Sequence, residues 1–354
     1  MKGFPSSTFW KNRKVLVTGH TGFKGGWISH WLADLGAEVY GYSLNPPAGP
    51  SFFVEANLHE RLASSSIGDV RHFDVLSKVM ADSEPEIVIH MAAQPLVRES
   101  YCSPIETFET NLMGTVNLLQ STLGAPSTKT VLVVTSDKCY ENREWLRPYT
   151  EEDRLGGHDP YSASKAAAEL AVASYRGSFL SEAGIQVATA RAGNVIGGGD
   201  WSADRLVPDF FRAGESGQPL RIRSKDGVRP WQHVLEPLAG YLTLVEMMHQ
   251  PGPNFSSPWN FGPSQESHKP VSWVLEFLKA QWQDVDLHFT ETDNKHESQL
   301  LSLDSSKART HLGWRPRWDL ERALSMTINW QEAWIAGANM SDFTSDQIRH
   351  YTKS

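Results

Sequence analysis

Tyr161 and Lys165 stand four residues apart in the segment Tyr161-Ser162-Ala163-Ser164-Lys165. On a helix, residues at that spacing share a face. A lysine ammonium beside a phenol favours the phenolate and lowers the tyrosine pKa from its usual ~10. A tyrosinate of this kind is a suitable base for taking an alcohol proton during hydride transfer. Asp159-Pro160, just ahead, reads as an N-cap followed by proline at the first helical position. The Y-x-x-x-K spacing alone occurs by chance in many helices. A glycine motif upstream makes it specific.

That motif is Thr18-Gly19-His20-Thr21-Gly22-Phe23-Lys24-Gly25, which follows the short apolar run Lys14–Thr18 and opens a helical pattern. One glycine permits a tight turn, one lets the backbone approach a pyrophosphate, and one allows close helix–strand packing. The helix N-terminus supplies free N–H groups and a positive dipole end. Gly19, His20, Thr21, Gly22, Phe23, Lys24 and Gly25 are therefore candidate cofactor contacts, with Lys24 on the phosphate or nicotinamide side. The second strand of such a fold usually ends in an acidic residue that holds the adenosine ribose. Here it ends in Ser43, which leaves a weaker ribose contact or NADP as the readings. No arginine follows immediately to meet a 2′-phosphate, so NAD is the expected cofactor. Asp69 and Val70 either flank the adenine or, for Asp69, form a solvent-facing turn.

Thr135-Ser136-Asp137-Lys138-Cys139-Tyr140 is the third chemical segment. Asp137 and Lys138 read as a solvated ion pair at a strand end, or as part of a ligand site, because such folds place ligands at the carboxyl ends of parallel strands. His90 and His20 read as a strand-end and a turn residue, and neither is expected in catalysis.

These groups need a frame. Lys14–Thr18, Ala37–Leu44, Glu86–Ala93, Thr130–Thr135 and Gly184–Arg191 read as strands, and Trp27–Leu35, Pro104–Leu123 and Pro160–Phe179 as helices. Strands that are continuously apolar and alternate with helices predict an α/β fold, a doubly wound parallel sheet of Rossmann type covered on both faces. Beyond Arg191 glycines and prolines multiply, and short helices such as Ser272–Trp282 and Leu320–Ile335 are separated by irregular stretches. The expected organisation is a nucleotide-binding domain over 1–190 and a smaller substrate-binding lobe over 191–354, with segments able to return to the first domain. The polar tail after Ala338 is expected to be partly disordered.

Composition narrows the function. The chain has 354 residues, with 33 Lys+Arg against 41 Asp+Glu, a net charge of −8. A mild acidic excess argues against a nucleic-acid partner. No apolar run approaches the ~20 residues that span a bilayer, so no membrane partner is expected, and Met1–Asn12 does not read as a secretory signal. Cys102 and Cys139 are too few for a disulfide framework or a thiolate zinc site; no metal is expected, and a reducing cytoplasmic compartment fits. Of the 13 tryptophans, nine fall after residue 200. They read as core and lobe packing, or in one or two cases as walls of a ligand cleft.

From Trp10 to about Trp334 the chain resembles the extended short-chain dehydrogenase/reductases. The resemblance rests on the glycine motif, Y-x-x-x-K, His90-Met91-Ala92-Ala93-Gln94, Asp137-Lys138-Cys139-Tyr140, Arg191-Ala192-Gly193-Asn194 and Arg229-Pro230-Trp231-Gln232-His233. Within that family it is similar to the nucleotide-sugar 4,6-dehydratases, and among those to enzymes that act on CDP-glucose. Most 4,6-dehydratases carry Asp-Glu where this chain has Asp137-Lys138. The resemblance implies a lyase cycle: C4 oxidation with bound NAD, elimination of water across C5 and C6, and return of hydride to C6. It gives Ser136, Asp137, Lys138, Tyr161 and Lys165 as catalytic residues. Ser136 would bond the C4 oxygen, and Asp137 would be the acid. Lys138 sits where the family has its base, either as the base itself or as a charge that stabilises the C4 enolate. Ala92, Ala93 and Asn111 join the expected cofactor contacts.

A nucleotide diphosphate sugar needs cationic or N–H partners and an apolar slot for its base. Asn194, Arg205, Arg221, Arg223, Arg229 and His233 are the candidates for the first, with Asn194 and Arg229 implied by the resemblance. Leu206, Val207 and Trp231 are candidates for the second. Arg221-Ile222-Arg223 also reads as an exposed strand edge. The resemblance implies a homodimer joined through Pro104–Leu123 and Pro160–Phe179. A sugar-nucleotide 4-epimerase would need Tyr161, Lys165 and the cofactor but not Asp137-Lys138. A catalytically idle cofactor-binding protein would not need the intact Ser136, Tyr161 and Lys165.

Overall fold

The computed structural model describes residues 4–222, 224–252, 254–283, 285–289 and 301–354. Six strands, β1 (Lys14–Thr18), β2 (Glu38–Ser43), β3 (Ser64–Ile67), β4 (Ile87–His90), β5 (Thr130–Val134) and β6 (Gln186–Ala192), join an edge strand, Pro258–Phe261, in one sheet. Its order is edge strand–β6–β5–β4–β1–β2–β3, and every pairing is parallel. The chain order reverses between β1 and β4, which opens the ligand crevice expected of a Rossmann-type sheet.

Both faces of the sheet are buried, which explains the unbroken apolar runs. Val15 and Val17 of β1 and Ile87 and Ile89 of β4 point into one core with Trp27, Trp31 and Leu238. Leu16, Val88, Val131 and Val133 point into the other with Leu76, Leu118 and Val172. A third cluster, built from Phe210, Phe211, Val274, Leu278, Leu324 and Ile328, is the core of the smaller lobe. Trp259, Trp314, Trp318 and Trp330 lie in the first core, and Trp201 and Trp334 pack against it. Trp273 and Trp282 pack on the lobe core. Among the late tryptophans named above, Trp231 lines the large cavity.

The structure departs from the sequence reading in several elements. Ser64–Ile67 carries no apolar run because it is the exposed edge of the sheet. The helix Leu235–His249 packs on β5 and β6, and Pro258–Phe261 extends the sheet beyond β6, a return of the second half of the chain to the first domain that the sequence reading allows. The span Pro104–Leu123 is interrupted by a π-helical turn at Glu109–Met113. The tail is ordered: Asn339 caps a helix, Met340–Lys353, that buries Met340, Thr344, Ile348 and Tyr351. These recur at helical spacing on one stripe, so the polar average of the segment hides an amphipathic helix. Among the described residues no helix is long and apolar enough to cross a membrane.

The helix Pro160–Tyr175 begins as expected, with Asp159 accepting from the Ser162 N–H at 2.9 Å. Its inner face carries Glu169, which sits buried against Arg191 of β6. Arg191 donates to both Glu169 oxygens, from Nε at 2.8 Å and Nη2 at 2.7 Å. Thr135 and Thr189 hydroxyls donate to the same two oxygens. Arg191 also donates to the Tyr140 hydroxyl, which in turn donates to Asn260 of the edge strand. A buried ion pair of this kind is tolerable because every partner is satisfied, and removing one partner strands the other. Glu169→Gln should therefore lower the free energy of unfolding by ~3–5 kcal/mol, measured by chemical denaturation. A loss under ~1 kcal/mol would show that the pair does not hold the helix to the sheet.

Candidate active site

Gly19 turns the chain out of β1 with φ +79°, and a Cβ there would lie 2.7 Å from the Ala92 nitrogen. A Cβ on Gly25 would lie 2.0 Å from the Gly19 carbonyl oxygen. Side chains are thus excluded at both positions. Gly22 meets only the Gly19 oxygen, at 3.4 Å, and caps the helix Phe23–Asp34 without a side-chain bond to its first N–H groups. The loop is a glycine cradle at an uncapped helix N-terminus, which fits the pyrophosphate of a dinucleotide.

The hydrogen-bond directions at the ribose end can be assigned. Thr21 donates to the Leu44 carbonyl at 3.0 Å, so at their 2.8 Å contact Ser43 donates to Thr21. Ser43 is left with acceptor capacity only, which suits a ribose hydroxyl and not a 2′-phosphate. Asp69 is ion-paired to Arg71 through Nε at 2.9 Å and Nη2 at 2.6 Å. Burial pushes its carboxyl up, but the Arg71 guanidinium and N–H overcome that and hold it below the usual range. Asp69 also accepts the Arg71 N–H at 2.9 Å and, through its carbonyl, the His72 N–H at 3.0 Å, so it stands in a turn. Val70 is buried against Gly114.

His20 and Asn111 both spend their side chains on neighbouring protein groups. The His20 ring is buried, bonded to Ser65 at 2.7 Å, with burial lowering its pKa to about 4. Asn111 is buried behind the crevice, its amide spent on the Gln94 backbone and the Ser164 hydroxyl. Ala92 packs against the glycine turn, whereas Ala93 reaches the cavity.

The catalytic segment leaves the end of β5. Ser136 caps the short turn Asp137–Cys139, accepting from the Lys138 N–H at 3.1 Å and donating to Asp137 at 3.0 Å. Burial raises the Asp137 carboxyl pKa, with Lys138, Ser136 and Lys24 pulling the other way. Lys165 reaches the Val134 carbonyl at 3.4 Å, and burial lowers its pKa to about 8. Lys24 is likewise lowered to about 8 by burial, then by Arg205. Tyr161 stands at about 12, raised by burial, against a hydrogen bond with Ser136. The protein alone therefore does not supply the tyrosinate that the Tyr161/Lys165 spacing suggests, because burial disfavours the phenolate more than neighbouring cations favour it.

Ser136, Asp137, Lys138, Tyr161, Lys165 and Lys24 line one cavity of about 450 Å³. Asn194, Arg205, Leu206, Val207, Arg221 and Arg229 line the same cavity, with Arg205 close enough to Tyr161 and Lys24 to act on their charge. Arg205 is held by Asp200 at 2.8 Å. Trp231 spends its indole N–H on the Lys269 carbonyl at 3.1 Å. Arg223 lies outside the described residues. His233 is a correction: it is fully buried among Trp27 and Trp318 and does not line the cavity. Its position two residues past Trp231 continues into the helix Leu235–His249, which turns it into the core.

Sequence reasoning missed Glu169. It lies four residues beyond Lys165 and eight beyond Tyr161, so the helical spacing that pairs the catalytic residues also pointed to it. Asp159 and Tyr101 also line the cavity; they sit on a cap and a short helix that carried no motif.

The family model described as GDP-mannose 4,6 dehydratase matches residues 16–327. The chain is 47% identical over 349 residues to the CDP-glucose 4,6-dehydratase of Salmonella typhimurium, covering 97% of each. It is 25% identical to the dTDP-glucose 4,6-dehydratase of Xanthomonas campestris, covering 94% of this chain and 98% of the relative. The solved dTDP-glucose 4,6-dehydratase DesIV of Streptomyces venezuelae, with NAD bound, superposes with a TM-score of 0.77 at 25% identity, covering 90% and 96%. The UDP-glucose 4-epimerase of Thermotoga maritima shares the fold, with a TM-score of 0.79 at 22% identity over 91% and 99% of the two chains.

The acceptor-only Ser43 generates a cofactor preference. Protein stripped of nucleotide should bind NAD at least ~10-fold more tightly than NADP, since one well-placed hydrogen bond is worth about 1 kcal/mol and an unmet phosphate costs more. Ser43→Ala should weaken NAD and leave NADP unchanged in a fluorescence titration. Tighter NADP binding by the parent protein would contradict the assignment.

Proposed function

This chain belongs to the GDP-mannose 4,6 dehydratase family, and from that premise we propose that it is a hydro-lyase converting CDP-glucose to CDP-4-dehydro-6-deoxyglucose and water. The observation that carries this reading is the Ser136-Asp137-Lys138 turn, which lines one cavity together with Tyr161 and Lys165. A 4-epimerase needs no acid and no amine for C5 and C6. NAD, held by the Gly19–Gly25 turn and Ser43, would supply the hydride acceptor for C4, the hydride donor for C6 and a positive ring charge.

The remaining steps belong to the chain. Tyr161 takes the C4 hydroxyl proton, and the Ser136 hydrogen bond and the Arg205 guanidinium favour its charged form. Ser136 bonds the C4 oxygen. Oxidation at C4 acidifies the C5 hydrogen. Lys138 then acts at C5, as the base or as the charge that stabilises the C4 enolate. Asp137, its carboxyl pushed up by burial, gives a proton to the C6 hydroxyl, which leaves as water. The C5 position is reprotonated as hydride returns to C6, so there is no net redox change. Arg205, Arg221, Arg229 and Asn194 offer the donors that a diphosphate needs, and Leu206, Val207 and Trp231 offer the walls for the base.

We also propose a homodimer in a cytoplasmic setting. Ile105, Met113, Leu170 and Phe179 are exposed apolar residues on the two helical spans Pro104–Leu123 and Pro160–Leu180. Such surface is normally covered by a partner. The free cysteines Cys102 and Cys139 suit a reducing compartment.

Incubation with CDP-glucose should give a product lighter by one water, read by mass spectrometry. Unchanged mass would sink the lyase reading. Lys138→Ala should still form reduced nicotinamide in a single turnover, while solvent-deuterium exchange at C5 and loss of water both fall at least ~100-fold, the scale of a lost general acid–base group. Tyr161→Phe should abolish the absorbance change itself. Elimination at an undiminished rate in Lys138→Ala would refute its role. Light scattering should report twice the 39.5 kDa chain mass; a monomer at micromolar concentration would remove the dimer.

A further inference from the structure

His90 closes β4 beside Thr18, its register partner at the end of β1. These two residues mark the switch point of the sheet. Gly19 follows one and Met91–Ala93 follow the other. The His90 ring is buried between two hydroxyls, Thr18 Oγ1 at 2.7 Å from Nδ1 and Thr115 Oγ1 at 3.2 Å from Nε2.

The protons in this arrangement can be assigned by elimination. Thr115 donates to the Asn111 carbonyl at 2.7 Å, which can only accept. Thr115 must therefore accept from His90, so Nε2 carries hydrogen. Burial, with Lys165 nearby, lowers the ring pKa to about 3, so the ring is neutral and Nδ1 is bare. Thr18 then donates to Nδ1. Its lone pairs accept the N–H groups of Met91 at 3.1 Å and Ala92 at 3.2 Å. Further along, Ser164 donates to the Tyr161 carbonyl at 2.7 Å, so Ser164 accepts from the Asn111 amide at 2.9 Å. The donors run one way from Thr18 through His90 and Thr115 to the Asn111 backbone carbonyl, and a second run leads from the Asn111 side-chain amide through Ser164 to the Tyr161 carbonyl, the two joined only by the covalent frame of Asn111. Aligned hydrogen bonds polarise and strengthen one another.

We propose that His90, held as its neutral Nε2–H tautomer in this one-way chain, is a positioning residue that sets the Met91–Ala93 floor of the cofactor crevice at a fixed height against Tyr161. The imidazole is required because it accepts on one edge and donates on the other. Through Asn111 the two runs bind the backbone ledge that packs on the glycine turn to the backbone of the residue that takes the substrate proton. His90 touches neither cofactor nor substrate. The proposal rests on the reading of the crevice as an NAD site but not on the identity of the sugar nucleotide.

The test uses the full-length protein. Nitrogen NMR of imidazole-labelled protein, with His90 assigned by its loss in His90→Gln, should show Nδ1 bare and Nε2 protonated, with no titration between pH 5 and 9. A second arm titrates nucleotide-stripped protein with NAD. His90→Leu should weaken binding at least tenfold, whereas His90→Gln, which keeps a donor at the Nε2 position, should recover most of it. Thr18→Val, which removes only the donor to Nδ1, should weaken NAD as His90→Leu does. At saturating NAD, His90→Leu should lower the rate of the first hydride transfer at least tenfold with the KM for sugar nucleotide unchanged. An Nδ1–H tautomer, a ring that titrates in that range, or wild-type NAD binding by Thr18→Val would overturn the proposal. The tautomer and NAD arms do not involve the sugar, so failure of the CDP-glucose assignment leaves them readable.

Discussion

The Glu169–Arg191 ion pair sits under the active site, and the geometry of the site depends on it. Three of the four donors come from Thr189 and Arg191 of β6 and the fourth from Thr135, in the loop that enters the Ser136–Cys139 turn. Through Tyr140 and Asn260 it reaches the edge strand contributed by the second half of the chain. One buried carboxylate therefore sets the height and rotation of the helix that carries Tyr161 and Lys165 relative to the turn that carries Ser136, Asp137 and Lys138. The desolvation of two charges is offset only because each oxygen and each guanidinium edge finds a partner. That completeness makes the arrangement single-valued, as catalysis by positioned groups requires.

Burial then divides the proton chemistry among chemically ordinary groups. The same desolvation that raises Asp137 toward its protonated form lowers Lys165 and Lys24 to about 8 and lifts Tyr161 to about 12. A carboxyl shifted toward its protonated form and a phenol that gives up its proton only with added positive charge suit an oxidation followed by an elimination. Arg205, steadied by Asp200, stands with Arg221 and Arg229 among the cations of the cavity, where the negative charge of a diphosphate would be balanced. The glycine turn, the acceptor-only Ser43 and the His90 chain serve the cofactor instead. They hold backbone and hydroxyl groups where a dinucleotide can use them without adding charge.

The parallel sheet and the glycine spacing were legible in the sequence, and the Ser136–Lys138 segment stood out there, because each is local. Apolar runs such as Lys14–Thr18 reflect burial on both faces, and a glycine spacing or Y-x-x-x-K fits within one turn. What it hid depends on packing between distant segments. Ser64–Ile67 is a strand only because β2 lies beside it, and polar serines gave no sign of that. The amphipathic stripe of Met340–Lys353 was masked by its polar average. His233 looked like a ligand partner for its chemistry and proximity to Trp231, yet the following helix turns it into the core. The roles of Asp69 and Ser43 could not be read without the groups that bond them. Glu169 was visible in principle at helical spacing, but a glutamate on a helix signals burial only when an arginine is known to face it.

The central claim is that one set of residues runs an internal oxidation, elimination and reduction on a single sugar. It is tested most directly by CDP-glucose deuterated at C4, incubated with enzyme carrying its own NAD and no added cofactor, with the product read by NMR. The account predicts the deuterium at C6 of the product, together with one solvent-derived hydrogen at C5. Deuterium released to solvent, or retained at C4, would contradict it.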